Sequence, residues 1–539
     1  MQNKRAWAAP CLALGLYLSL TLAQLDLPGL HYDEAKEAGL PAMQMLLGQP
    51  LEPFRGSAIH LAGRAWPLMV QDYIGALNAY LLLPFFALGG VQVVSLRCLA
   101  VLQGALTLLV TWDLARRLYS PRAAAAAACL LAVQPAFVFW SRQGLYVTAV
   151  TGTLLAVSLW SGWRWWQEGR RRWVFVTALA WGLGLWAKLL FVWTLGGLAV
   201  CWVLLRGRAR PALPHPVAGR DLAVAALLLA LPLAPLVVFN LQTQGTFQAI
   251  FGNLTSSYYG VDNLAIGPNL ALRARQLWEV LAGSPFWYLG GTFQNRAWPL
   301  TLGAAAAAVV VALLGRLVPQ VRKRHLVPYL LLAAMVLQSC VTVSALWHSH
   351  FAILMPLPAL ALGGTLDALA ARLRARPAAW AMAGVVVLLM AGDVAVDLRY
   401  HRALAMTGGL GGHTPAIYGL AAGLDQRGDT RPLAFDWGIA APVQFLTAGR
   451  VQPVEVFGYA SLEEPDGEFA GQVQEMVRRG HRLHVFHSLE ETIYRGRLDL
   501  YSQTLANMGL AADVVQTHRD RSGRLIFVVG QAGPGSSAP

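Results

Sequence analysis

The sequence predicts a polytopic α-helical membrane protein of about eleven spans, followed by a C-terminal extracytoplasmic α/β domain. Three observations predict it. Of 539 residues, 56% are hydrophobic and 13% charged, and runs of ~20 apolar residues, each able to cross a ~30 Å hydrocarbon core as a helix, recur through most of the chain. Lys and Arg cluster in the short turns between these runs, so the net charge of +14 reads as cytoplasmic anchoring and excludes nucleic acid as the partner. From residue 397 onward the composition changes to that of a soluble domain.

The opening stretch, MQNKRAWAAPCLALGLYLSLTLAQLD, has the basic flank of a signal peptide but no small-residue cleavage site, which predicts a retained first helix. With the N-terminus inside, helices at about 7–25, 93–115, 122–140, 146–162, 173–188, 189–205, 220–240, 297–315, 325–346, 350–370 and 378–396 put the basic clusters on one side. Those clusters include Lys4 and Arg5, Arg116 and Arg117, Arg170 to Arg172, Arg206 to Arg220, Arg322 to Arg324 and Arg372 to Arg376. The expected domains are a membrane domain, 1–396, with a first external loop at 26–92 and a large external loop at 241–296, and an external domain, 397–539.

The apolar segment 66–90 is placed as a juxtamembrane or re-entrant helix, because counting it as a span would put Arg116 and Arg117 outside. The five cysteines all fall inside apolar spans without CxxC spacing, so neither a disulfide framework nor a thiolate metal site is indicated. In the C-terminal region the strand candidates PLAFDW, VQPVEVF, RLHVFHS, ADVVQTH and RLIFVVG alternate with helical stretches, which predicts a mostly parallel sheet. The tail GQAGPGSSAP reads as disordered.

Against this apolar background, LPGLHYDEAKEAGLP places Asp33, Glu34 and Glu37 where the first helix leaves the bilayer on the outer side. Helical spacing puts Asp33 and Glu37 on one face and Glu34 on the next. One reading is a helix start, since acidic residues favour the positive end of the helix dipole. The other is functional: carboxylates at the mouth of a membrane cavity mark sites of chemistry. Pro41 predicts a kink after Glu37.

DEAKEAG after the first span resembles the Asp-Glu motif in the first external loop of the GT-C glycosyltransferases of the GT39/PMT superfamily, which includes protein O-mannosyltransferases and aminoarabinose transferases. RAWPLMVQDYIGAL resembles that superfamily's Pro-containing juxtamembrane helix, and residues 97–143, ending in Ser-Arg, resemble its second and third spans. GLGLWAKLLF resembles its Gly-rich span ending in lysine, and WHSHFAILMPLPALALGG its late His-aromatic-Pro segment. These matches run in order over about 1–370.

The resemblance implies inverting transfer of a sugar from a polyprenyl-phosphate carrier to an acceptor hydroxyl on the outer face. Asp33 would be the general base, and Glu34 would orient the acceptor or contact a divalent cation if one is used. Lys188, Arg142, His350 and Arg64 would hold the departing phosphate. Glu37, Trp66, Tyr258 and Tyr259 are candidate acceptor or sugar contacts. Each cation has a plainer reading: Arg142 as a snorkelling residue, Lys188 as a structural ion-pair partner, His348 and His350 as interfacial hydrogen-bonding residues. No metal set is assigned, because Val147 and Thr148 stand where many relatives carry a second acid.

The implied partners are a lipid-linked sugar donor, a protein, lipid or glycan acceptor, and the lipids of a prokaryotic plasma membrane. Asp436, Glu455 and His487 carry no assigned role. A lipid-linked sugar flippase would show inverted repeats or charges buried at the membrane midplane, and the sequence carries no repeat. A polysaccharide ligase shares the donor chemistry without this acidic first loop.

Overall fold

A computed structural model describes residues 7–144, 147–205, 215–255, 260–315, 318, 320–342, 346–372, 376–458 and 461–534. Each of the eleven predicted spans contains a helix. Among the described residues, four helices are long and apolar enough to cross a bilayer: Val93–Leu118, Gly219–Thr243, Ala297–Leu314 and Ala379–Thr407. A fifth span results if His348–Leu354 and Pro356–Arg372, bent by 47°, are taken together. Others are broken by sequence. Pro121–Ala132 stops before Gln134, whose side chain caps the N–H of Phe137 and starts a separate helix, Pro135–Trp140. The Gly219–Thr243 helix exposes Leu227, Leu231 and Leu241, as a lipid-solvated helix does. The chain is a polytopic helical protein of the membrane type.

Two short hairpins correct the helix expected over 66–90. Strand β1 (Ala58–Leu61) pairs antiparallel with β2 (Arg64–Pro67), and β3 (Met69–Gln71) pairs with β4 (Ile74–Gly75). Only Leu77–Gly89 is helical. Pro67 lacks the N–H a helix interior needs, and β-branched Val70 and Ile74 favour extended backbone. Gly75 also permits a contact that no other residue could make, since a Cβ there would lie 2.2 Å from the Trp186 carbonyl oxygen.

The C-terminal region forms a five-stranded sheet in the order β6-β5-β7-β9-β8, with β5 (Leu433–Ala434), β6 (Val454–Glu455), β7 (Leu483–His487), β8 (Leu510–Arg519) and β9 (Leu525–Pro534). Leu420 and Val443 pack with Ala434 and Val485 on one face; Val473 and Tyr501 pack with Leu433 and Phe435 on the other.

The sheet is mixed and not mostly parallel. β5 runs parallel to β6 and β7, whereas β9 is antiparallel to both β7 and β8. A tight turn forces the antiparallel pair: the Asp520 carboxylate accepts the N–H groups of Ser522 and Arg524, leaving no room for a crossover. Residues 530–534 of the expected disordered tail belong to β9, because each finds a partner in β8 or β7. Residues 535–539 lie outside the described residues.

Candidate functional site

The acidic stretch is a continuous but non-uniform helix. His31 Nδ1 accepts the Asp33 N–H at 3.2 Å and caps the start, so Asp33 and Glu34 occupy the first turn. Ala35–Gly39 is a π-helical turn in which the N–H of Leu40 reaches the carbonyl of Ala35, and Leu40–Leu47 then continues with Pro41 in its first turn. The wide turn accommodates Pro41, which has no N–H to offer Glu37.

Asp33 is half-exposed, its carboxylate 3.7 Å from His31 Nδ1. Glu37 accepts a hydrogen bond from Gln71 Nε2 at 2.8 Å, so β3 fixes its carboxyl.

Lys188 is brought to this cluster by backbone pairing. The Arg171–Ala187 helix ends at Lys188, whose extended backbone bridges antiparallel to Ile74 of β4, and Leu189 N–H donates to the Tyr73 carbonyl at 3.0 Å. The Lys188 side chain is buried, with Nζ 3.3 Å from His350 Nε2. His350 Nδ1 lies 3.2 Å from both the N–H and the carbonyl of Trp347, and in the tautomer that carries Nδ1–H its Nε2 accepts from the ammonium. Lys188 touches His350 and lies near enough to Asp33 and Glu37 for their charges to act on one another, which draws together residues from three distant stretches of sequence.

The charges there act on one another. Enclosure by protein, and then the neighbouring Asp33 carboxylate, push the Glu37 carboxyl from 4.5 up to about 8, against the opposing pull of Lys188 and Lys36. Glu37 thus keeps its proton at neutral pH. The folded state holds this proton up to about 8 while the unfolded chain releases it near 4.5, so stability falls as pH rises between these values and levels off above them. Glu37→Gln is expected to flatten that part of a Tm-against-pH curve; an unchanged slope contradicts the assignment.

Other expected site residues lie elsewhere. Glu34 is fully buried, and its two oxygens take Arg97 Nε at 2.9 Å and Nη2 at 3.0 Å. Both oxygens are held by the guanidinium in a fully buried ion pair, whereas the expectation had Glu34 orienting an acceptor or contacting a cation. Arg142 is likewise buried: it donates to the carbonyls of Ala23, Gln24 and Leu27 and lies over the Phe139 ring, closing the end of the first helix. Its Nη2 is taken up by backbone, Nη1 lies 3.4 Å from His401 Nδ1, and Nε is buried with no hydrogen-bond partner among the described residues, whereas the expectation had Arg142 holding a phosphate.

Arg64 and Trp66 line a separate cavity of about 360 Å³ with Gln44, Gln49 and His60, and Trp66 stacks on Tyr80. His348 pairs with Glu279 at 2.6 Å. Tyr258 and Tyr259 lie outside the described residues.

Sequence reasoning missed Gln71 and Arg97. Nothing in the sequence distinguishes Gln71, but an arginine inside an apolar span is itself a signal of a buried partner. A divalent cation does not fit this donor set. Glu34 is paired with Arg97, the Glu37 carboxyl is pushed up to about 8, and the Asp33 carboxylate lies 3.7 Å from His31 Nδ1. Among the described residues, no group of three or more His, Cys, Asp or Glu could hold a metal ion.

Residues 76–235 match the sequence model of the dolichyl-phosphate-mannose-protein mannosyltransferase family. The chain superposes on ArnT from Cupriavidus metallidurans in the apo state with a TM-score of 0.61 at 15% identity, covering 98% of both chains. With the undecaprenyl phosphate-bound form of ArnT the TM-score is 0.62, over 98% of this chain and 99% of that one. The chain has the ArnT-like GT-C fold. The same GT-C fold relates it to the oligosaccharyltransferase AglB from Archaeoglobus fulgidus in complex with an inhibitory peptide and a dolichol-phosphate, at a TM-score of 0.52 and 13% identity over 100% of this chain and 75% of that one. No curated protein sequence matches the chain.

Proposed function

We propose that the protein is a membrane glycosyltransferase that moves a sugar from a polyprenyl-phosphate carrier to an acceptor hydroxyl. The observation that carries this reading is the convergence of Asp33 and Glu37 with Lys188 and His350, within a fold whose relative ArnT binds undecaprenyl phosphate.

Asp33, the more open of the two acids, takes the acceptor proton. The acceptor oxygen then bonds to the anomeric carbon as the bond from that carbon to the phosphate oxygen breaks, with inversion. Lys188, steadied by His350, receives the charge that grows on the departing lipid phosphate. Glu37, uncharged at neutral pH, stays beside the phosphate without repelling it. The reading includes about eleven spans, the reaction centre and the C-terminal α/β unit on the extracytoplasmic face, and a prokaryotic plasma membrane as location.

Purified protein in detergent, supplied with labelled polyprenyl-phosphate hexose or pentose and a hydroxyl acceptor, tests the reading. Sugar transfer is the expected result; lipid movement without transfer contradicts it and points to a flippase. Lys188→Ala removes a charge-assisted hydrogen bond to phosphate, so undecaprenyl phosphate binding is expected to weaken by about 10- to 100-fold. Titration calorimetry measures this directly, and an unchanged Kd removes Lys188 from the site.

A further inference from the structure

The two residues that precede Asp33 are both held from the C-terminal unit. Tyr32 is buried, and its hydroxyl donates to Glu455 Oε1 at 2.8 Å, at the carboxyl end of β6, while accepting from Lys36 Nζ at 2.9 Å. Trp437, just beyond β5, packs its ring against Tyr32 with centroids 4.8 Å apart and against His31 at 5.4 Å. His31, whose Nδ1 caps the Asp33 N–H, stacks on His413 at 4.3 Å, and His413 in turn stacks on Tyr288 at 4.0 Å. The carboxyl ends of β5 and β6 are thus directed at the turn that carries Asp33, and the sheet's ends do not face empty solvent at this point.

This arrangement is more specific than a cap over apolar surface. The cap function is served by Phe445 and Ala441, which pack with Phe86, Ala38 and Leu96. The Lys36–Tyr32–Glu455 chain adds a directed polar link: one cation, one hydroxyl and one carboxylate, each satisfied by the next. Its middle member is adjacent in sequence to Asp33. A half-exposed carboxylate has freedom to swing, and catalysis by a general base requires it to be held within hydrogen-bond reach of the proton it takes.

We propose that Tyr32, Glu455 and Trp437 are positioning residues through which the C-terminal α/β unit fixes the carboxylate of Asp33 for proton abstraction. The proposal rests on the glycosyltransferase reading. Tyr32→Phe and Glu455→Ala each cut the link while leaving the donor site intact. Each is expected to lower kcat for sugar transfer by about 10- to 100-fold, as a misplaced reacting group does, with donor KM and undecaprenyl phosphate Kd unchanged.

Glu455→Gln keeps an oxygen that accepts from Tyr32 and is expected to restore most of the rate. The double variant Tyr32→Phe with Glu455→Ala is expected to be no slower than either single variant, since both remove one link. Unchanged kcat in the single variants overturns the proposal, as does a loss matched by weaker undecaprenyl phosphate binding or an additive double variant. Absence of transfer by the unmodified protein with every donor overturns the glycosyltransferase reading itself, and this proposal with it.

Discussion

Asp33→Asn is expected to lower sugar transfer by about 10²- to 10⁴-fold, the usual contribution of a positioned general base, while leaving undecaprenyl phosphate binding in place. The asparagine is isosteric but cannot accept a proton from the acceptor hydroxyl. The binding half of the site, Lys188 with His350, is untouched by the change. Single-turnover measurements with saturating donor separate the two effects: kcat falls and KM for the donor does not. A variant that transfers at the unmodified rate would move the base to another residue. Glu37 is the alternative the geometry offers, but at pH 7 it is occupied by its own proton.

The largest expected loss of stability follows from Arg97. Its guanidinium spans both oxygens of Glu34 and also donates to the Leu25 carbonyl at 3.0 Å, so one side chain ties the Val93–Leu118 helix to the acidic turn and to the end of the first helix. Both partners are fully buried. Arg97→Met leaves an uncompensated carboxylate in the interior, for which a cost of about 3–5 kcal/mol is typical. Thermal unfolding in lipid nanodiscs is expected to show a strongly lowered Tm. Replacing both partners together, Arg97→Met with Glu34→Met, is expected to recover much of the loss, because no buried charge remains. Equal Tm for the single and double variants contradicts the account of Glu34 as a structural fastener.

The membrane helices were legible because apolar length is a strong signal and each run is bounded by Lys or Arg. Boundaries inside runs were not. Pro121–Ala132 and Pro135–Trp140 read as one span because Gln134, the residue that separates them, acts through a local cap and not through composition. The hairpins at 58–75 were hidden for a related reason: their strands are two to four residues long, too short for alternation to declare itself, and one bridge depends on Gly75 lying against Trp186.

Asp33, Glu37, Lys188 and His350 are legible as charged or titratable residues at the ends of apolar runs. Glu34 and Arg142 carry the same signature, and both make buried internal contacts. Sequence locates a charge but does not reveal what holds it, and in both cases the partners are far away in sequence: Arg97 for Glu34, the carbonyls of Ala23 and Gln24 for Arg142. The Tyr32–Glu455 bond, across 423 residues, has no sequence signature at all.

The most direct test of the central claim is the structure of this chain with undecaprenyl phosphate bound. The account predicts the phosphate within about 4 Å of Lys188 Nζ, the reach of an ion pair, with Asp33 on the opposite side of the space left for the sugar. A phosphate bound in the Arg64 and Trp66 cavity, with Lys188 still held only by His350, would contradict it.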